Sequence, residues 1–341
     1  MAQFNTKLFF LFIFFITSLT THAGSFKDGL SAWLAEKYDK AFKILRPLAH
    51  LGHAPAQVVI GLMYENGQGI EPNPDQAIKW YKLAADQGEP EGQYRLGCMF
   101  LTHDEECHQV DAVKWFLAAA EQGHKYAQYK IGLMYREGVG IDQDSVEAAH
   151  WLTLAAEQSV PGAQTVLGIL HERGEGVEQN FQTALKWYRL AAEQGEPQAQ
   201  CNLGVMYQHG RGVSVDCREA MKWYQAAADQ GYAPAQFNLG LFWQKGLCGA
   251  SDFDKAISWY QKAADQGEPH AQCNLGLCYH QGLGTTVDLQ AAAHWYRKAA
   301  EQGLPEATNA LPVVLRLLEQ QASHHAGSDQ SSSILGSFHP E

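Results

Sequence analysis

The chain has 341 residues, 46% hydrophobic and 11% aromatic, enough to bury a core as two or three domains or as one long array. Its 25 Lys and Arg against 37 Asp and Glu give a formal charge of −12, which repels nucleic-acid phosphates and anionic lipid. Nucleic acid is therefore excluded as an expected partner.

In chain order, the first feature is an export signal. Lys7 precedes the apolar run LFFLFIFFI, Leu8 to Ile16, and TSLTTHA leads with small and polar residues to Ala23. The expectation is a signal peptide over 1–23, cleaved after Ala23, with a retained anchor as the alternative. The run is too short to cross a bilayer core, which takes about 20 residues, and no cysteine adjoins the cleavage point for lipid attachment. The predicted product is periplasmic or secreted, with no membrane insertion after cleavage. Residues 24–53 follow, where EKYDKAFKILRPLAHLG (Glu36 to Gly52) carries a helical pattern centred on Ile44. That pattern recurs, with tryptophan in place of Ile44, down most of the chain, so 24–53 reads as a divergent N-terminal repeat.

From residue 54 to 303 the chain repeats seven times with a period of about 36. A glycine preceded by Leu or Ile returns at Gly61, Gly97, Gly132, Gly168, Gly204, Gly240 and Gly276. A tryptophan returns at Trp80, Trp115, Trp151, Trp187, Trp223, Trp259 and Trp295. Each repeat reads as two helices. The first ends at Gly67, Gly138, Gly174, Gly210, Gly246 or Gly282, where a left-handed residue closes the last turn. The second starts at Asn73, Asp144, Asn180, Asp216, Asp252 or Asp288, whose side chains accept first-turn amides. It closes at Gly88, Gly123, Gly195, Gly231, Gly267 or Gly303, with proline soon after in most repeats. Ala77, Trp80, Tyr81 and Ala84 fall on one helix face, so the tryptophan ladder reads as core rather than as a ligand-stacking surface. Neither helix buries its apolar face alone, and stacked neighbours bury it in a one-dimensional array. After Gly303, PEATNALPVVLRLLEQQ supplies a capping helix over 304–321 with Pro312 at the glycine position. The Ser-, His- and Gly-rich tail 322–341 reads as disordered.

With these signatures in place, AQCNLGVMYQHGRGVSVDCREAMKWYQAAADQG, Ala199 to Gly231, resembles the Sel-one-like repeat, a longer relative of the tetratricopeptide repeat. The resemblance covers seven repeats from about Ala54 to Gly303. It implies an all-α fold, an α/α superhelical solenoid that holds other proteins together in complexes, in the cell's own envelope or, as for exported relatives in intracellular pathogens, on a host cell. Some cysteine-rich members have been credited with binding β-lactams through a regular cysteine pair. This chain has Ala and Gln there, so the activity is not carried over, and a cell-wall or β-lactam hydrolase stands as the alternative function.

Three features invite a chemical reading. THDEECHQV, Thr102 to Val110, groups His103, Cys107 and His108, but it falls at the turn between two helices and lacks four ligands at zinc-finger spacing. A divergent loop is expected, with no metal site. The Gly-x-Gly pairs follow helices instead of a strand, so they are not phosphate loops; no catalytic set and no cofactor site is assigned. Seven cysteines leave at least one free thiol. Cys98 with Cys107, and Cys248 with either Cys217 or Cys278, are the conceivable bridges, while Cys201 and Cys273, equivalent positions two repeats apart, read as buried small hydrophobes.

The remaining signal is a surface. The resemblance places the first helices on a concave side, where positions two before and five after each repeating glycine face a protein partner. The first set is Val59, Arg95, Lys130, Val166, Asn202, Asn238 and Asn274; the second is Asn66, Thr102, Glu137, Arg173, His209, Lys245 and Gln281. Arg95, Lys130, Asn202, Asn238 and Asn274 are expected to form a polar, locally basic stripe able to bond an extended peptide or partner loop.

Overall fold

The structure, a computed structural model, describes the backbone of residues 23–102 and 106–334, and the side chains of 25–102 and 108–323. The expected signal peptide lies outside the described residues. Among those described there are 17 helices and no strand. They fall into two bodies, Met1–Gln179 and Asn180–Glu341.

The N-terminal body holds α1 (Ala23–Leu34), α2 (Tyr38–His50), α3 (Ala54–Asn66), α4 (Pro74–Ala85), α5 (Pro90–Leu101), α6 (Glu106–Glu121), α7 (Lys125–Glu137), α8 (Ser145–Glu157) and α9 (Pro161–Arg173). The C-terminal body holds α10 (Phe181–Glu193), α11 (Pro197–His209), α12 (Cys217–Asp229), α13 (Ala233–Lys245), α14 (Phe253–Asp265), α15 (Pro269–Gln281), α16 (Leu289–Glu301) and α17 (Pro305–Ile334). Within each body every helix packs on its predecessor and its successor. First helices of successive repeats also meet directly, α3 with α5 and α13 with α15. Residues 24–53 contain α1 and α2, whose Phe26, Leu30, Trp33 and Leu45 are buried. α17 runs past Gln321 to Ile334, further than the expected cap. After Pro312 no proline withdraws a backbone amide from it.

The sequence punctuation acts as read. Gly67 caps α3 at φ 66°, its N–H bonding the Met63 carbonyl, and Gly138, Gly174, Gly210, Gly246 and Gly282 repeat this left-handed cap. Asn73, Asp144, Asn180, Asp216, Asp252 and Asp288 each accept a first-turn amide. The prolines have a more specific task than stopping the previous helix. Pro90, Pro161, Pro197 and Pro269 are each the first residue of the next one, where the missing N–H costs nothing.

The core differs from expectation in one respect. Only Trp80 and Trp295 of the seven repeat tryptophans are buried; the others are half-buried. The residue after each tryptophan is the core anchor: Tyr81, Phe116, Leu152, Tyr188, Tyr224, Tyr260 and Tyr296 are at most 2% exposed. Its seat explains the repeating glycine. A Cβ on Gly240 would stand 2.4 Å from the Tyr260 ring, and one on Gly204 2.7 Å from Tyr224, so only a hydrogen fits between first and second helix. The tryptophans work at the seam between repeats. Trp151 and Trp259 pack on the core of the preceding repeat, and lysines lie over their row, with Lys262 3.9 Å from the Trp259 ring and Lys222 5.3 Å from Trp223.

The glutamines of the recurring AQ and DQG or EQG motifs fasten the repeats together. Gln200, Gln236 and Gln272 are buried. Their Nε2 groups donate to Ala192, Ala228 and Ala264, carbonyls left over at the end of the preceding second helix, at 3.1–3.2 Å. Their Oε1 atoms accept from Gln230, Gln266 and Gln302 at 2.7–2.9 Å. Gln57, Gln93 and Gln128 do the same in the N-terminal body. Leucine at Gln236 removes both ladder bonds, but the Ala228 carbonyl keeps the Gly231 N–H and the exposed Gln266 amide keeps water and the Lys262 carbonyl, so the cost should be about 1 kcal/mol, the net worth of an ordinary hydrogen bond. Urea unfolding of the full chain measures it, and an unchanged midpoint would show the ladder to be idle.

Candidate partner-binding face

Two positions on each first helix carry the candidate surface. They are seven residues, close to two turns, apart and so share a helix face. At the inner position Val59 and Val166 are buried, whereas Arg95, Lys130, Asn202, Asn238 and Asn274 are half-buried. At the outer position Asn66, Thr102, Glu137, Arg173, His209, Lys245 and Gln281 are exposed. The cations Arg95 and Lys130 belong to the N-terminal body and the three asparagines to the C-terminal body.

Two of these inner side chains, Arg95 and Asn238, are held by neighbours. In the C-terminal body the Asn238 amide donates to the Cys201 thiol at 3.4 Å, reaching across to the preceding first helix. The Tyr260 hydroxyl donates to Gln244, and the Tyr224 hydroxyl donates to Gln208 at 2.9 Å. The buried rings thus bring their polar tips out onto the first helix and help fix the side chains beside the surface.

In the N-terminal body Arg95 is less available than the sequence implied. Its Nε donates to Glu91 Oε1 at 2.7 Å, and the His124 Nε2 lies 2.9 Å from the other oxygen. Glu91 and His124 are both buried. His124 Nδ1 accepts the Ala127 N–H at 3.1 Å, capping α7, so the ring's own proton sits on Nε2 and points at Glu91. The ring also stacks on Tyr94, centroids 4.7 Å apart. Burial alone raises the Glu91 carboxyl, but the His124 hydrogen bond and the Arg95 guanidinium outweigh it and hold the group below its ordinary value. With both carboxylate oxygens and both ring nitrogens engaged, this cluster positions a surface arginine and has no open atom for acid–base chemistry.

The cysteines resolve into one bridge. Cys217 and Cys248 are bonded with Cα atoms 5.7 Å apart, while Cys278 is buried with a free thiol, which removes the Cys248–Cys278 alternative. Cys98 is also free, and the Cys107 side chain lies outside the described residues. Cys273, expected to be buried like Cys201, is half-buried. Burial pushes the Cys201, Cys273 and Cys278 thiols up to about 11, far from an activated nucleophile. In THDEECHQV, residues 103–105 and the side chains of Glu106 and Cys107 lie outside the described residues. Among the described ones no group of three His, Cys, Asp or Glu could hold a metal ion. No described helix is long and apolar enough to cross a membrane.

Stacked helix pairs, seating a tyrosine, Phe116 or Leu152 against the repeating glycine and joined by paired glutamines, define an α/α repeat solenoid. The Sel1 repeat profile matches residues 54–89, 90–104, 108–124, 125–160, 161–196, 197–232, 233–268 and 269–304, and the chain belongs to the Sel1 repeat family. The gap between 104 and 108 falls in the divergent THDEECH turn. A protective antigen of uropathogenic Escherichia coli strains with the same fold is similar at 36% identity and a TM-score of 0.74, covering 87% of this chain and 65% of its own. A Sel1 repeat protein from Oxalobacter formigenes is similar at 32% identity and a TM-score of 0.65, covering 86% of this chain and 89% of its own. Chitin synthase regulatory factor 3 of Schizosaccharomyces pombe shares 35% identity over 81 residues, and the chain spans 9% of that protein's length. Solenoids of this kind are typical non-enzymatic scaffolds for protein interaction.

Proposed function

We propose that this protein is an exported scaffold that binds partner proteins on the concave face formed by its first helices, in the periplasm or beyond the cell, where it assembles envelope complexes or engages a host cell. The observation that carries the reading is the substitution at one register position. Where Val59 and Val166 close the core, Arg95, Lys130, Asn202, Asn238 and Asn274 instead present half-buried polar groups, Arg95 and Asn238 among them anchored, flanked by the exposed Glu137, Arg173, His209, Lys245 and Gln281. Anchored amides lose little freedom on binding and can both donate to and accept from a partner's backbone. Export draws support from the signal-like first 23 residues, from a disulfide of the kind that persists in oxidising compartments, and from a similar protein known as a protective antigen.

The test is recovery of cross-linked partners from cells expressing the wild type or the Asn202→Ala, Asn238→Ala, Asn274→Ala triple variant, with circular dichroism to verify folding. Recovery should fall at least tenfold, and equal recovery rejects the face. N-terminal sequencing of the exported protein should give Gly24.

A further inference from the structure

The turn between α13 and α14 departs from its sisters at two successive positions, and both changes converge on one place. In the regular turns of the C-terminal body the second glycine lies against the first residue of an earlier second helix. Gly212 sits against Phe181 and Gly284 against Phe253, with 2.5–2.6 Å to the nearest atom a Cβ would meet. At this turn Cys248 holds the glycine's place, and it is bonded to Cys217, which opens α12 as Phe181 opens α10 and Phe253 opens α14. The next position carries an aliphatic residue in four sister turns, Ile70, Ile141, Val177 and Val213, and Thr285 in the fifth; Ile70 and Ile141 pack against their core clusters. Here it is Gly249, around whose Cβ position nothing lies within 4 Å.

Beside it opens a cavity of about 320 Å³ lined by Arg218, Met221, Phe242, Trp243, Leu247 and Gly249 among others. Phe242 is buried and Leu247 is 40% exposed, so the floor is dry and the rim open. Arg218 is the one charged residue of the lining, and among the described residues its guanidinium makes no ion pair. An unpaired cation beside an apolar hollow, on a chain with a net charge of −12, selects a negatively charged visitor.

We infer that this cavity is a second docking site, which takes an aliphatic side chain flanked by an acidic residue from a partner protein segment. The apolar group fills, from outside, a turn position that four sister turns fill with their own Ile or Val, and the flanking carboxylate pairs with Arg218. The site lies on the turn after α13, the first turns of second helix α12 and the C-terminal end of first helix α13, and none of Asn202, Asn238 and Asn274 lines it. A variant that closes it leaves Asn202, Asn238 and Asn274 untouched, so failure of one reading does not decide the other.

The test uses the full chain with methyl-labelled methionine and follows the Met221 signal while capped tripeptides are added. Acetyl-Asp-Ile-Asp-amide should give a saturable shift, and the alanine-centred and lysine-flanked tripeptides should bind at least tenfold more weakly. Gly249→Ile has an ordinary backbone conformation and open space available. It should abolish the shift without lowering the melting temperature, and Arg218→Gln should remove the preference for acidic flanks. Absence of a saturable shift, equal binding of the alanine peptide, or binding undiminished in the folded Gly249→Ile variant would overturn the proposal. So would a Met221 shift that grows with protein concentration without peptide, which would assign the cavity to a second copy of the chain.

Discussion

Glutamine in place of Glu91 should destabilise the N-terminal body by about 3 kcal/mol at neutral pH, the range for removing one partner from a buried charged cluster. The carboxylate offers two acceptor oxygens to two donors, the Arg95 Nε–H and the His124 Nε2–H. Glutamine offers one oxygen and an NH₂ group, so one of the two donors must face another donor in a site with little access to water. Arg95 keeps 22% side-chain exposure and can recover some hydration, whereas His124 at 4% cannot. The effect should be local, visible as faster amide hydrogen exchange in α5 and α7 and unchanged exchange in α12 to α16. The same carboxylate gives the wild type an acid limb. Its folded pKa lies below the ordinary value of 4.5, so the stabilisation is complete above that value and is lost as pH falls through the lower, folded one. The Glu91→Gln protein should lack that limb, and urea midpoints at pH 3–7 for the two proteins should converge as the pH drops. Parallel curves would show that Glu91 is not the titrating group.

The second large effect belongs to the disulfide. Serine at both Cys217 and Cys248 should cost the C-terminal body about 3–4 kcal/mol, the chain-entropy value for cross-linking residues 31 apart. The bridge joins the first residue of α12 to the turn after α13, a contact that sister repeats make with a glycine against backbone. Serine at 248 restores neither the bond nor the glycine, and it adds a side chain where the other turns have none. Urea unfolding with and without reductant separates the two losses. The wild type should fall under reductant toward the variant, and a midpoint indifferent to reductant would show that the turn holds without the bond.

The elements of this fold were readable because their punctuation is local. A left-handed glycine after Asn66, an Asn or Asp before each second helix and a proline at the start of the next first helix each act within a few residues. What escaped the reading lies one repeat away in sequence. Gln236 and Gln266 meet across 30 residues, and Glu91 and His124 across 33. Polar side chains at such separations belong to no helical or strand period, so nothing distinguished them from solvated residues. Glu91 gave one hint: as the second residue of α5 it is, among the seven repeats, the one carboxylate at a position held in sister helices by Pro55, Tyr126, Gly162, Gln198, Pro234 and His270. The tryptophans are less central than expected, buried at Trp80 and Trp295 and half-buried elsewhere, for a steric reason. Helical spacing puts tryptophan and tyrosine on one side, but the hydrogen-only gap at the repeating glycine admits the tyrosine ring, and that gap is visible only in three dimensions.

The stability of the candidate face was likewise invisible. Sequence spacing put Arg95 and Asn238 on an outward surface, yet each is tied down, by Glu91 and by the Cys201 thiol. The expected polar stripe remains a proposal, and Arg95 and Asn238 enter it as constrained groups, each within its own body.

The glutamine ladder carries an evolutionary corollary. Because Gln200, Gln236 and Gln272 secure their joints with the same pair of amide bonds, modules that lack a private lock such as the Cys217–Cys248 bridge or the Glu91–His124 pair meet their neighbours through one common interface. A gene segment encoding 36 residues can be duplicated or lost without inventing a new interlock. Lineages can in this way adjust the reach of the array while each surviving link remains as it was.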